Sequence, residues 1–247
     1  MKAFARTDVG KMRTTNQDFV FSSMEPVGNL PNLFIVADGM GGHKAGDLAS
    51  RFTVETFIND VMNSDEENPI SVIEAAIRTA NRALMEKALE SEEYEGMGTT
   101  LVVATILDHS LYIANVGDSR LYLVNNEIMQ ITRDHSLVEE MISLGELDKE
   151  RARVHAKKNI ITKAVGAEIE LIPDFFEVEC SPGDIILMCS DGLSNMIEDK
   201  DIKNIINEGT ELSDIAHRLI EVANNNGGKD NIAVVLIEPE YDEVNVC

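Results

Sequence analysis

The chain has 247 residues, of which 44% are hydrophobic and 26% are charged, and this composition is typical of a folded globular protein rather than a disordered or collagen-like chain. Its formal net charge is −23, which argues against nucleic acid as a partner because a phosphate backbone would be repelled. The longest apolar run, from Ile232 to Ile237, is far shorter than the roughly 20 residues that span a bilayer, so we predict no membrane insertion.

Short apolar runs bounded by Gly, Asn and Asp predict ten strands. In chain order these strands cover residues 2–8, 18–23, 32–37, 99–107, 110–116, 120–124, 127–131, 174–179, 184–190 and 231–237. Several neighbours are joined by tight turns, as at Asn125-Asn126, which favours antiparallel pairing.

Three other segments carry apolar residues at the helical spacing of i, i+3, i+4 and i+7. One opens near Gly42, the second follows Pro69, and the third covers residues 212–223. No linker or repeat divides the chain, so we expect one domain over residues 1–247. The order of elements predicts two antiparallel sheets stacked face to face with helices outside.

Two features concern the cellular compartment. The N-terminal residues lack the apolar segment of a secretory signal. The three cysteines, Cys180, Cys189 and Cys247, show no CxxC spacing, which favours reduced thiols over a disulfide framework. We therefore expect a cytoplasmic protein.

Five aspartates stand where a predicted strand begins or ends: Asp18, Asp38, Asp118, Asp191 and Asp230. A turn or a cap explains any one of them alone. Together they can converge at one end of the sandwich, where carboxylates would repel one another severely without bound cations. Ligand sets made only of oxygen favour Mg²⁺ or Mn²⁺ over zinc.

The sequence lacks the residue patterns that zinc sites, cysteine-nucleophile phosphatases and nucleotide-binding loops require. The five histidines show no zinc-binding spacing, although His43 shares the glycine turn that follows Asp38 and is a candidate for proton transfer. A cysteine-nucleophile phosphatase loop needs Arg six residues after Cys, where this chain has Ile186 and Asn195. The sequence also contains no GxxxxGK[ST] loop, so nucleotide binding is weakly supported.

Seven blocks, in order along nearly the whole chain, resemble the metal-dependent protein serine/threonine phosphatases, also called type 2C phosphatases, in their compact bacterial form. The blocks are Thr7-Asp8-Val9-Gly10 with Arg13 and Asn16-Gln17-Asp18, Ala37-Asp38-Gly39-Met40-Gly41-Gly42-His43, Gly96-Met97-Gly98-Thr99-Thr100, Ala114-Asn115-Val116-Gly117-Asp118-Ser119-Arg120, Asp134-His135-Ser136, Cys189-Ser190-Asp191-Gly192-Leu193, and Gly228-Lys229-Asp230-Asn231.

The resemblance implies an α+β fold, a four-layer α-β-β-α sandwich, with two Mn²⁺ or Mg²⁺ ions at one end. Asp38 would bridge the ions, the Gly39 carbonyl would bind one, and Asp191 and Asp230 would hold the other. Asp18 would act through metal-bound water. A third, weaker ion would use Asp118 and Asp191.

The resemblance also implies the reaction and the partners. Arg13 would grip the substrate phosphate through its planar fork. A water that bridges the ions would attack phosphorus directly, without a phosphoenzyme. The substrates would be phosphorylated proteins, the chain would oppose a bacterial serine/threonine kinase, and we expect a monomer.

The sequence departs from the family pattern at two places, Met40 and Lys163. Met40 stands where many eukaryotic relatives have a histidine thought to protonate the leaving group, so His43 or a metal-bound water would take that role. Lys163 replaces an arginine. Residues 137–160 correspond to the flap beside the site, where a solvated surface and a substrate-selecting role are both open.

Two other functional classes share some of these features. A two-metal nuclease or small-molecule phosphatase would share the carboxylates, but the charge of −23 disfavours the nuclease. A non-catalytic binding module could keep the fold, although a decayed site would be expected to lose some metal ligands.

Overall fold

The structure is a computed structural model that describes residues 1–42 and 45–239. The strands in this part of the chain are β1 Lys2–Asp8, β2 Asp18–Ser23, β3 Leu33–Met40, β4 Gly98–Thr99, β5 Leu101–Leu107, β6 Ser110–Val116, β7 Arg120–Val124, β8 Ile128–Gln130, β9 Asp174–Glu179, β10 Ile185–Cys189 and β11 Ile232–Glu238. The α-helices are α1 Ala45–Met62, α2 Pro69–Ala88, α3 Leu137–Ser143, α4 Lys149–Val154, α5 Asp191–Ser194, α6 Asp199–Glu208 and α7 Leu212–Asn225, and a 3-10 helix covers Glu92–Tyr94.

The strands form two antiparallel sheets. One sheet has the order β1-β11-β10-β7-β8, and the other has the order β2-β3-β5-β6-β9 with β4 paired to β3. Helices α1 and α2 pack on the second sheet, whereas α5, α6 and α7 pack on the first. The predicted stacking of two antiparallel sheets between helices is confirmed.

Three apolar cores explain why the central strands are apolar at nearly every position. In β3, Phe34 and Val36 face the core between the two sheets, and Ile35 and Ala37 face the core under α1 and α2. Successive side chains of a strand point to opposite faces, and both faces of this sheet are covered. The continuous apolar runs therefore follow from the layered architecture.

Among the differences from the predicted elements, one concerns a helix and another a strand. The residues of α6 were not recognised as a helix, although its Ile202, Ile205 and Ile206 are buried against the first sheet. The predicted strand 99–107 is interrupted at Thr100, so that Gly98–Thr99 pairs with the end of β3 while β5 continues separately. This interruption lies beside Asp38.

No helix in residues 1–42 and 45–239 combines the length and the apolar character needed to cross a bilayer. The segment 137–160 contains α3 and α4. Val138 lies in α3 and is buried.

Candidate active site

Asp18 and Asp38 lie opposite each other on the paired strands β2 and β3. Asp18 is buried, and the Ser190 hydroxyl donates a hydrogen bond of 2.6 Å to its Oδ2. Its other oxygen, Oδ1, is buried and has no hydrogen-bond partner among the described residues. Because a buried polar atom without a partner is costly, this oxygen is suited to a ligand from outside the chain.

Two threonines fix the backbone of Asp38. Its amide donates to Thr100 Oγ1 at 2.9 Å, and its carbonyl accepts from the Thr100 amide and the Thr99 hydroxyl, both at 2.9 Å. The Thr100 hydroxyl also lies 2.8 Å from the hydroxyl of Ser119, next to Asp118. Thr100, the residue between β4 and β5, thus links Asp38 to Ser119, which directly follows Asp118.

Gly39 allows α1 to approach the end of β3. A Cβ atom at this position would lie 1.9 Å from the carbonyl oxygen of Gly46, in the first turn of α1. The Gly39 amide donates to the Gln17 carbonyl at 3.0 Å, which also accepts from Ser50 in α1 at 2.6 Å. Any side chain at Gly39 would displace the helix from the site.

The remaining aspartates are held by neighbouring side chains. Asn195 Nδ2 donates to Asp191 Oδ2 at 2.8 Å. Arg13 Nη2 donates to Asp230 Oδ2 at 2.8 Å, and both side chains of this pair are partly exposed. The predicted phosphate-binding arginine therefore lies beside a predicted metal ligand.

Asp118 follows a glycine that is clamped by a histidine. The amide of Gly117 donates to His135 Nδ1 at 3.0 Å, and the His135 amide donates to the Gly117 carbonyl at 2.9 Å. On its other side, the His135 ring lies 3.1 Å from Asp174, which is also 3.3 Å from Lys163. Lys163, at the position of the family arginine, keeps a charged contact in this cluster.

Four of the five predicted aspartates have a raised pKa. Burial is the main cause, and repulsion from the neighbouring carboxylates adds to it. The pKa rises to about 7 for Asp18, to about 8 for Asp118 and to about 6 for Asp191, and that of Asp38 lies well above its ordinary value. All five predicted aspartates therefore share one electrostatic environment, in which Asp230 contributes to the repulsion on Asp18, Asp38 and Asp191.

The donor set fits hard divalent cations, because carboxylates and the Gly39 carbonyl offer only oxygen. The buried Oδ1 of Asp18 without a partner and the mutual repulsion of the aspartates support this fit. In residues 1–42 and 45–239, however, no three His, Cys, Asp or Glu side chains are already grouped tightly enough to hold an ion. A bound cation would have to draw the carboxylates together.

His43, the predicted proton donor, lies outside the described residues. Sequence reasoning missed the side chains that support the aspartates, namely Ser190, Thr100, Asn195 and Asn231. Asn231 accepts from the Gln17 amide and donates to the carbonyls of Val9 and Thr15, so it fixes the loop that carries Arg13. Ser190, Thr100 and Asn231 stand in the seven blocks that resemble the phosphatase family, but only the fold reveals their contacts.

A cavity of about 220 Å³ lies between the flap and the aspartates. It is bordered by Asp118 and Asp191 and by flap residues that include Val138, Arg153 and Lys158. A molecule held there would contact both the flap and two of the predicted metal ligands.

The family model described as protein phosphatase 2C matches residues 11–236. Protein phosphatase PhpP of Streptococcus pneumoniae is 40% identical over 240 residues, which cover 96% of this chain and 97% of PhpP. The crystal structure of serine/threonine phosphatase Stp1 from Staphylococcus aureus is 35% identical with a TM-score of 0.90, covering 97% of this chain and 95% of that one. The catalytic domain of serine threonine protein phosphatase PstP, in complex with two manganese ions, is 33% identical with a TM-score of 0.84, covering 96% and 97%.

Proposed function

The chain belongs to the protein phosphatase 2C family and is a serine/threonine protein phosphatase, and on this premise we propose how its own residues perform the reaction. In this proposal, two Mn²⁺ or Mg²⁺ ions bind among Asp38, the Gly39 carbonyl, Asp191 and Asp230. Asp18 contributes from the adjacent strand. Asp118 and Asp191 hold a third, weaker ion.

The observation that carries the proposal is the state of Asp18. One oxygen is buried without a partner, while the other is already occupied by Ser190, so the free oxygen is available to a metal-bound water. The raised pKa values of Asp38 and Asp118 point the same way: burial is their main cause and repulsion from neighbouring carboxylates adds to it, and bound cations would favour the charged form of both groups.

When bound, a pair of divalent cations supplies a water activated for direct attack on phosphorus and neutralises charge on the phosphoryl oxygens. The protein's own residues place the groups. The guanidinium of Arg13 is partly exposed beside Asp230, within reach of an incoming phosphate. It can donate two parallel hydrogen bonds to the oxygens of that phosphate. Thr99 and Thr100 keep Asp38 fixed, which reduces reorganisation during the reaction.

The leaving alkoxide needs a proton. Met40 cannot supply it because a thioether carries no acidic hydrogen. His43, in the same glycine turn, remains our prediction for this role, with a metal-bound water as the alternative. His43→Ala would leave hydrolysis of a phosphoserine peptide unchanged if the histidine has no part in proton transfer.

The substrates proposed are phosphorylated serine and threonine residues of other proteins, which a serine/threonine kinase must supply. We propose that the chain acts as one monomeric domain in the cytoplasm, with the flap beside the substrate. The charge of −23 is compatible with an anionic substrate because the cations and Arg13 make the site locally positive.

Isothermal titration with Mn²⁺ tests the metal centre. The wild-type chain should bind at least two ions, and Asp38→Asn should weaken binding strongly because it removes a carboxylate that would hold them. Asp65→Asn, at an exposed position, is the matched control and should bind like wild type. Equal binding by Asp38→Asn and wild type would contradict the assignment.

A further inference from the structure

Two cations of the flap, residues 137–160, reach the short helix α5 that begins with Asp191. Arg153 in α4 directs its Nη2 at the carbonyl oxygens of Ser194 and Ile197, at 3.4 and 3.3 Å. Lys158 donates from Nζ to Asn195 Oδ1 at 2.8 Å. The flap is therefore docked on the segment that carries a proposed metal ligand.

The amide side chain of Asn195 is used at both ends. Its Oδ1 accepts from Lys158, and its Nδ2 donates to Asp191 Oδ2 at 2.8 Å. An ammonium can only donate and a carboxylate only accepts, so these two partners fix which way the amide points. A continuous chain of hydrogen bonds thus runs from the flap to Asp191.

Lys158, Asn195 and Asp191 all line the cavity of about 220 Å³ beneath the flap. With one Asp191 oxygen occupied by Asn195, the other can turn toward the remaining aspartates. Movement of Lys158 away from Asn195 would leave the amide free to rotate and release Asp191. The position of the flap and the orientation of the carboxylate are therefore linked by geometry.

We propose that Asn195 is a positioning residue that holds the Asp191 carboxylate for ion binding, and that Lys158 couples docking of the flap to this orientation. Asp191 is a metal ligand only under the function proposed above, so the inference rests on that function. Hydrogen-bond partners of metal ligands typically contribute about 10- to 100-fold to metal affinity or activity.

The test uses the full chain with Mn²⁺ as the probe. Isothermal titration compares wild type, Asn195→Ala, Lys158→Ala and the double variant. Asn195→Ala should lower Mn²⁺ affinity by about 10-fold or more, and Lys158→Ala by a smaller factor. The double variant should lose no more than Asn195→Ala alone, because the two residues act in one chain.

Hydrogen exchange gives a second readout that does not depend on metal. Backbone amides of residues 137–160 should exchange faster in Asn195→Ala and in Lys158→Ala than in wild type. Should Asn195→Ala fail to fold, Asn195→Leu keeps the side-chain volume and removes both hydrogen bonds.

Two matched variants serve as controls. Asn226→Ala removes a bond of 2.8 Å to the Met196 carbonyl near α5 without touching Asp191, and Lys157→Ala removes an exposed neighbouring charge. Both should keep wild-type affinity and exchange.

Wild-type Mn²⁺ affinity in Asn195→Ala, or additive losses in the double variant, would overturn the inference. The proposed function would survive that result if wild type binds Mn²⁺ and Asp191→Asn does not. If wild type itself binds no Mn²⁺, both the inference and the proposed metal centre fail.

Discussion

Asp18 and Asp38 are register partners on adjacent antiparallel strands, so their carboxylates are brought to the same end of the sandwich by β-pairing alone. Burial is the main cause of the raised pKa of both, and repulsion from the neighbouring Asp191 and Asp230 adds to it. The fold thus brings together negative charges that lower its own stability. Such an arrangement is expected at a site that binds a cation.

The metal-free protein should lose stability as pH rises. The pKa values of Asp18, Asp118 and Asp191 are about 7, about 8 and about 6 in the folded state, whereas an unfolded aspartate has a pKa of about 3.9. The folded state therefore binds more protons between about pH 4 and pH 8, so the free energy of unfolding must fall through this window.

Urea unfolding in a chelator at several pH values measures this slope. Asp118→Asn should flatten it, whereas Asp65→Asn, which changes an exposed carboxylate, should not. Added Mn²⁺ should restore stability at pH 8, because an ion that binds only the folded state stabilises it. Identical slopes for the two variants would refute this explanation.

Thr100→Val should disturb Asp38 without changing any proposed ligand. The substitution leaves the Asp38 amide without its acceptor and removes the contact with Ser119. Because Thr100 is buried, the expected loss in unfolding free energy is about 1–3 kcal/mol, together with lower phosphatase activity. Thr100→Ser retains the hydroxyl and should recover most of both; failure to recover would assign the effect to the methyl group instead.

Gly39→Ala should abolish metal-dependent activity because the new Cβ would lie 1.9 Å from the Gly46 carbonyl oxygen. The helix α1 must then shift, and we expect a loss of stability of about 1–3 kcal/mol or more. Gly42→Ala in the same turn is the control, since a Cβ there meets no atom within 4 Å. Thermal unfolding and phosphate release on both variants check the contrast, and equal effects would count against the close approach.

Arg13→Ala should lower kcat/KM for a phosphothreonine peptide by about 10-fold or more, equivalent to about 1.4 kcal/mol of transition-state stabilisation. Arg13→Lys should recover activity only in part because an ammonium lacks the planar fork. Arg51→Ala removes an exposed arginine paired with Asp47 in α1 and should leave kcat/KM unchanged. A wild-type value for Arg13→Ala would exclude a role in phosphate binding.

Local patterns were sufficient for most of the fold. The apolar run of β3 ends at Asp38, although the strand itself continues to Met40, and β10 ends at Cys189, two residues before Asp191. Both strands, and the aspartates that follow their apolar runs, can therefore be recognised from the sequence. The helix α6 escaped recognition because its three buried isoleucines stand among charged and amide residues, which hide the apolar stripe.

Sequence patterns predicted the aspartates of the site but not the side chains that support them. Aspartates at strand ends could be identified, but the contacts of Ser190 with Asp18 and of Asn195 with Lys158 join residues 172 and 37 positions apart, and no spacing rule indicates them. The break at Thr100 likewise depends on where β4 meets β3, which is a property of sheet pairing.

Phosphate release from a phosphothreonine peptide is the most direct test of the metal-dependent mechanism. The intact chain is assayed with Mn²⁺ or Mg²⁺, then with chelator, beside Asp38→Asn. We predict release that requires the metal, disappears with chelation and is lost in the variant. Release that persists in chelator or in Asp38→Asn would contradict the mechanism, and no release from a folded chain with either metal would favour a non-catalytic binding module.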